Sequence, residues 1–326
     1  MIGLALLLLL AQWAPQVSNS TASLRGVMAV DDSVAWASGT AGTYLRTVDG
    51  GKTWTAKQVP GAETLDFRDL HAFDANRAVL MSIGPGGASR IYKTEDAGGH
   101  WNLLFQNPEP KGFFDSLTFW DRRHGIVIGD AVNGRMYAAT TGDGGTSWNP
   151  VDPSGMPLAR EGEGAFAASG TCVFVRPKGL AWMVTGGTGG GRVFRSTDWG
   201  KSWKVSLSPV RHDDASSGLF SIAFRDNRHG VIVGGNYAKP GENRDTVAFT
   251  NDGGKTWTAP ASRTRGFRSA VVYVPGSTRV IAAGTTGIDS SDDNGRTWKP
   301  MSDGNYNALS LPWAVGPKGA IAKLVP

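Results

Sequence analysis

Apolar residues along this chain come in short runs of four to seven, separated by Gly, Pro, Asp and Asn. Phe67-Arg-Asp-Leu-His-Ala-Phe73, Arg77-Ala-Val-Leu-Met-Ser82, Arg90-Ile-Tyr-Lys-Thr94 and Trp101-Asn-Leu-Leu-Phe-Gln106 form one such group of four. Runs of this length with this punctuation read as strands and turns. No long stretch holds an apolar period of 3.6, so the pattern predicts almost no helix beyond the N-terminus. Four successive strands per unit make the blade of a β-propeller.

The unit repeats. An eight-residue sentence, [S/T]-x-D-x-G-x-[T/S/H]-W, ends the third run of six units and leads into the fourth. Its aspartate and tryptophan are Asp49 and Trp54, Asp96 and Trp101, Asp143 and Trp148, Asp198 and Trp203, Asp252 and Trp257, and Asp293 and Trp298. A recurrence every 41 to 55 residues marks one repeat architecture rather than the two domains that 326 residues would otherwise suggest. At each turn the carboxylate is placed to accept backbone N–H groups, the glycine to take an unusual φ, and the Ser/Thr hydroxyl to close the loop. The indole then buries between layers. Six scattered turns do not converge on one ligand, so the boxes read as structural.

After Trp298 the chain offers three more runs, Asn307–Leu311, Trp313–Gly316 and Ala320–Leu324, and no fourth. The missing strand lies at the other end, where Trp13-Ala-Pro-Gln-Val-Ser18 resembles the strands that follow the boxes. The expectation is an all-β, seven-bladed propeller of four-stranded antiparallel blades over residues 12–326. An N-terminal outer strand completes the C-terminal blade, and closure removes free sheet edges. Residues 1–11, Met-Ile-Gly followed by a leucine-rich run to Ala11, are too few to span a bilayer and match the apolar core of a secretory signal without its basic start. They imply a periplasmic or secreted protein, cleaved after Ala11, with no stable membrane span.

Charge and composition narrow the chemistry. The net charge of +5 is scattered, whereas a nucleic-acid surface needs a clustered basic stripe. The single cysteine, Cys172, sits in an apolar strand and reads as a buried small hydrophobe. Five histidines show no metal spacing, and Gly162-Glu-Gly164-Ala-Phe-Ala167 lacks the helix a dinucleotide site requires. No cofactor or metal is expected. Asp121-Arg-Arg-His124-Gly125 and Asp226-Asn-Arg-His229-Gly230 repeat one turn, with Asp as its cap and Gly in positive φ.

The boxed turn resembles the Asp-box of the bacterial neuraminidase repeat, which occurs in sialidases, sortilin-type receptors and several seven-bladed propellers. From Trp13 to Leu324 the repeat resembles the photosystem II stability and assembly factors and their non-photosynthetic bacterial relatives. The motif is specific for fold and poorly specific for function. In that family an arginine-rich surface is implicated in partner binding.

Strand direction places all boxes on one face. The opposite face then carries two insertions, 154–164 and 236–245, and a set of arginines. Arg25, Arg68 and Arg268 begin inner strands; Arg90, Arg135 and Arg192 lie near the starts of third strands. Glu161, Glu163, Tyr237 and Lys239 lie on nearby loops, with His212. Such arginines either fork onto a partner's carboxylate or phosphate, or pair internally with Asp66, Asp69, Asp115 and Asp130. The leading reading is an exported, non-enzymatic, monomeric scaffold that binds a protein partner through this face, as an assembly or stability factor. The alternative is a sialidase-like glycoside hydrolase or carbohydrate-binding propeller. There Arg25, Arg68 and Arg268 would hold the substrate carboxylate, and Tyr237 with Glu163 would form the catalytic pair. An Arg-Ile-Pro motif is absent and the blade count is seven rather than six, two departures from the sialidase pattern.

Overall fold

The computed structural model describes residues 12–325. The signal-like segment 1–11 lies outside the described residues. Seven antiparallel sheets follow one another in chain order, and the innermost strands are Leu24–Ala29, Asp66–Ala72, Phe114–Phe119, Val173–Arg176, Ser217–Phe224, Ala270–Tyr273 and Ala308–Ser310. Each inner strand contacts the next, the last returns to the first, and the ring closes. Three short 3-10 turns are the helical elements among the described residues. None of the helices there is long and apolar enough to cross a membrane.

Second strands read as unbroken apolar runs because both faces of each sheet are covered by neighbouring blades. Ala35–Gly39 and Val280–Gly284 are buried throughout. The core therefore lies between blades. Val79, Met81 and Ile91 of the second blade, for example, pack against Leu117, Phe119, Val127 and Trp148 of the third. Outer strands are wet edges, where proline is tolerated. The third blade's outer strand is only Asn149–Pro150. In the fifth blade the expected fourth strand shrinks to one bridge, Phe249 to Thr258. Pro260, two residues on, has no N–H to extend that ladder.

The seventh blade is assembled from both chain ends. Gln12–Gln16 runs antiparallel to Ile321–Val325, with Trp13 opposite Leu324 and Gln16 opposite Ile321. Gln16 fixes the seam. Its Oε1 accepts the indole N–H of Trp54 in the first blade (2.9 Å) and of Trp313 in the seventh (3.1 Å). Lys323 adds a bond from the seventh blade to the Gly50 carbonyl at 2.8 Å.

Every boxed turn uses one network. In the first, Thr47 Oγ1 donates to Asp49 Oδ1 (2.9 Å) and accepts from the Gly51 N–H (2.9 Å). Asp49 also accepts the Thr53 N–H (2.9 Å) and hydroxyl (2.7 Å). In the second box the imidazole Nδ1 of His100 takes the hydroxyl's place, 2.6 Å from Asp96. Two consecutive residues turn left-handed: Gly50 and Gly51 have φ of 74° and 83°, and Ala97 and Gly98 have 63° and 82°. At Gly98 a Cβ would also lie 2.5 Å from the Tyr44 hydroxyl, so glycine is required twice over. Five of the six box indoles are buried; Trp101 is half-buried.

The repeated Asp–His turns are capped as expected: Asp121 accepts the N–H groups of Arg123 (2.7 Å) and His124 (2.8 Å). Their glycines act differently from expectation. Gly125 and Gly230 do not take positive φ; a Cβ there would press on the rings of Phe119 (2.6 Å) and Phe224 (2.5 Å). They are contact glycines, not turn glycines. Cys172 is fully buried, as the apolar run implied.

Two predictions concern stability. Deleting residues 12–20 strips the outer strand and the Gln16 seam, so thermal unfolding shifts far down and loses cooperativity; Gln16→Ala, which leaves two indole donors unpaired, costs about 1–3 kcal/mol each in the same melt. The second concerns acid. Backbone and side-chain bonds from Thr53 and from His100 hold Asp49 and Asp96 at about 2, below the usual 3.8. Depressed folded-state values mean that the boxes' contribution is complete above about pH 4 and is lost as pH falls towards 2. A steep acid limb in the melting temperature, below about pH 4, is the expected signature of the boxes.

Candidate functional site

The inner strands begin on the face opposite the boxes, and there the sheet is irregular. Register shifts between Leu24 and Gly26, Phe67 and Asp69, Phe114 and Ser116, and Leu219 and Ser221 leave one extra residue in four inner strands. Those residues are Arg25, Arg68, Asp115 and Phe220. A bulge re-aims the side chain it carries, and all four line one central cavity of about 610 Å³.

The floor of the cavity comes from the segment that follows the first insertion. Residues 165–170 run across the mouth of the channel. The Ala165 N–H donates to Asp130 of the third blade (3.0 Å), the Ala167 carbonyl accepts Arg68 of the second (3.0 Å), and Ser169 donates to the Ser269 carbonyl of the sixth (2.6 Å). Ser116 of the third blade donates to the Gly170 carbonyl at 2.8 Å. This strap separates the cavity from a second one of about 540 Å³ that opens on the box face. It also brings Phe166 flat against Phe220, with centroids 4.0 Å apart and planes 3° from parallel. Tyr237, 54 % exposed on the second insertion, meets both rings edge-on at 6.1 Å.

The mouth thus joins an aromatic platform to charges of both signs. Arg68 is paired with Asp66 at 2.7 Å. Arg25 has no ion pair among the described residues, and its Nε finds no acceptor. Burial, then the nearby Arg68 charge, pull its affinity for protons down, while Asp66 partly restores it. Asp115 and Asp130 line the same cavity. Burial, reinforced by the Asp130 charge, pushes the Asp115 carboxyl well above the usual carboxylate range. Burial also raises Asp130, against one bond from Ala165.

Of the residues named from sequence, Arg25, Arg68 and Tyr237 come together here. Lys239 is exposed on the Tyr237 loop, 4.0 Å from Glu242. The others lie elsewhere. Arg268 is fully buried and forked onto Asp289, with further bonds to the Phe267 carbonyl and Thr286 hydroxyl. Arg192 is buried on Glu163, which also accepts from Thr185 (2.7 Å). Arg90 donates to the Gly87 carbonyl within its own hairpin (2.7 Å). Arg135 bonds the Met156 carbonyl and lines a separate outer cleft of about 240 Å³. Glu161 points into solvent. No hydrogen bond joins Tyr237 to Glu163, whose carboxylate is spent on Arg192, so the catalytic pair of the alternative reading is not assembled. The internal pairing of arginines with Asp69, Asp115 and Asp130 is not what forms either. Asp69 instead accepts the Leu70 and Leu117 N–H groups (both 2.7 Å) and the Ser116 hydroxyl (2.9 Å). Among the described residues no group of three or more His, Cys, Asp or Glu is placed to hold a metal.

A bulged β-propeller with a strapped, mixed-charge mouth defines the class, and solved propellers share its fold. No family model matches the chain. It is 27 % identical over 289 residues to a photosystem II assembly protein, Ycf48, of Thermosynechococcus vestitus, covering 75 % of this chain and 74 % of that one. It is 24 % identical over 308 residues to a sialidase of Bacteroides fragilis, covering 82 % of this chain and 51 % of the sialidase. A chloroplastic photosystem II stability/assembly factor of Cyanidioschyzon merolae is 23 % identical over 70 % of this chain and 61 % of its own. Among solved structures, one described as YCF48 bound to D1 peptide superposes with a TM-score of 0.68 at 17 % identity, over 96 % of this chain and 95 % of that one. The WD40 propeller domain of Doa1 superposes with 0.65 at 13 % identity, over 97 % of both. The resemblance to photosystem II assembly factors is therefore present in sequence and in fold.

The arginines should separate by stability. Arg268→Ala removes the fully buried partner of Asp289, which keeps only Arg265 as an ion-pair partner (2.9 Å), and costs about 2–3 kcal/mol. Arg25→Ala, which breaks no ion pair, shifts the denaturation midpoint little. Equal losses in urea titrations of the two variants would place Arg25 among the structural arginines as well.

Proposed function

We propose that this protein is an exported, non-enzymatic propeller scaffold that holds a segment of a protein partner in the mouth opposite the boxes, in the manner of an assembly or stability factor. The observation that carries the reading is the convergence of Arg25, Phe166, Phe220 and Tyr237 on one open cavity. Aromatic and arginine side chains concentrate binding energy where they can be desolvated together. Arg25 is a half-buried cation whose Nε lacks an acceptor, and an incoming carboxylate or carbonyl supplies one. The relatives support the same reading, since the assembly-factor similarity extends over three quarters of the chain and one solved structure of the same fold is described as holding a peptide.

The test is partner capture from the native cell envelope with wild-type protein, the Arg25→Ala/Tyr237→Ala double variant, and a box-face control, Lys52→Ala. The double variant should lose at least tenfold in recovered partner at an unchanged melting temperature, while the control captures as wild type does. Glycosidase turnover on sialosides that vanishes in the double variant would replace the scaffold reading with the hydrolase one.

A further inference from the structure

Asp115 is the least satisfied group in the mouth. It is 1 % exposed, yet its carboxyl takes part in no hydrogen bond or ion pair among the described residues, and its Oδ2 is buried without a partner. The bulge between Phe114 and Ser116 aims it into the cavity rather than into the core. Asp130, on the adjacent strand beyond Gly129, has only the Ala165 N–H as a partner. An unpaired buried polar group costs free energy that a native fold ordinarily avoids. Asp115 is in that condition; Asp130, half-buried, uses one carboxylate oxygen on Ala165, and both line the same cavity as the Phe166–Phe220–Tyr237 platform.

Resting on the scaffold reading, we propose that this cavity holds a lysine socket: the ammonium group of a partner's lysine side chain docks between Asp115 and Asp130, against the aromatic faces. Several features select an ammonium. Two carboxyls and the negative faces of aromatic rings attract a cation together. Two carboxyls fall short of the oxygen set that calcium requires and of the three-ligand minimum of a protein metal site. An ammonium carries three donors, enough to serve Asp115 and the free oxygen of Asp130. A cation there also restores the charged form of both acids, which burial and mutual repulsion otherwise oppose. A cavity of about 610 Å³ exceeds the volume of one ammonium tip and leaves room for the neighbouring residues of the partner. Arg25, which lines the same cavity, then meets an acidic residue beside the lysine, so the preferred segment carries both charges.

The probe is the capped dipeptide acetyl-Lys-Glu-amide, titrated calorimetrically into the full chain beside its Nε-acetyl-lysine counterpart. The free amine should bind at least tenfold more tightly than the acetylated peptide. Asp115→Asn, which removes the ionisable carboxyl but breaks no protein hydrogen bond, should keep the melting temperature and abolish that preference. Equal affinity for the two peptides, no heat with either, or an undiminished preference in Asp115→Asn overturns the socket. Loss of the socket with Arg25- and Tyr237-dependent partner capture intact removes the lysine and leaves the scaffold. Loss of that capture removes the scaffold reading itself.

Discussion

The inner edge of each sheet has no neighbouring strand to pair with, and the whole ring depends on how that edge is satisfied. Seven strands splay around a channel, too far apart in direction for a shared ladder, yet their N–H and C=O groups are buried. Side chains bridge the gaps. Asp69 of the second blade accepts the Leu117 N–H of the third (2.7 Å). Thr171 and Ser221 join the fourth to the fifth (2.7 Å), and Ser221 accepts the Val271 N–H of the sixth (2.9 Å). Ser269 reaches the Asn307 carbonyl of the seventh (2.7 Å), and the Asn307 amide returns to the Leu24 carbonyl of the first (2.9 Å). Buried backbone must be paired, and here small polar residues do it. Bulges just upstream turn Arg25, Arg68, Asp115 and Phe220 towards the mouth while the residues after them serve the ring. The site is thus a by-product of the solution to the edge problem.

The two faces divide the labour. The Ser/Thr–Asp networks of the boxes close local turns, so they carry register and acid sensitivity but present no convergent chemistry. The opposite face carries the insertions. One leads into the strap that closes the channel and seats Phe166. The other lifts Tyr237 above it. Because strap and blades exchange hydrogen bonds at Asp130, Arg68, Ser116 and Ser269, the platform is held from three blades and presented rigidly, which lowers the ordering cost of binding.

Much of the fold was legible in the chain. The boxes gave blade register, and the tryptophan of an unboxed strand, Trp13, revealed the shared seventh blade. The mouth was legible only in part. Arg25, Arg68 and Arg268 open inner strands in similar local sequence, but only the first two sit in described bulges. Arg268 is claimed by Asp289, 21 residues away on the third strand of its own blade. Arg192 is likewise claimed by Glu163 from an insertion. Such pairings form across space, and spacing along the chain carries no trace of them. The aromatic platform did leave a signal: Ala165-Phe-Ala-Ala168 is an apolar run directly after a polar insertion, a sign of a segment folded inwards. Bulges left none, since one extra residue in a strand of ordinary composition looks like strand.

The scaffold proposal puts the partner in the strapped mouth and not on the boxed face. Oxidative footprinting of the purified complex tests it most directly, because suitable reporters exist on both faces. Tyr237 should be strongly protected on complex formation, with Trp101 and Trp199 oxidised at the rate of the free protein. Protection of Trp101 or Trp199 with Tyr237 unchanged would contradict it.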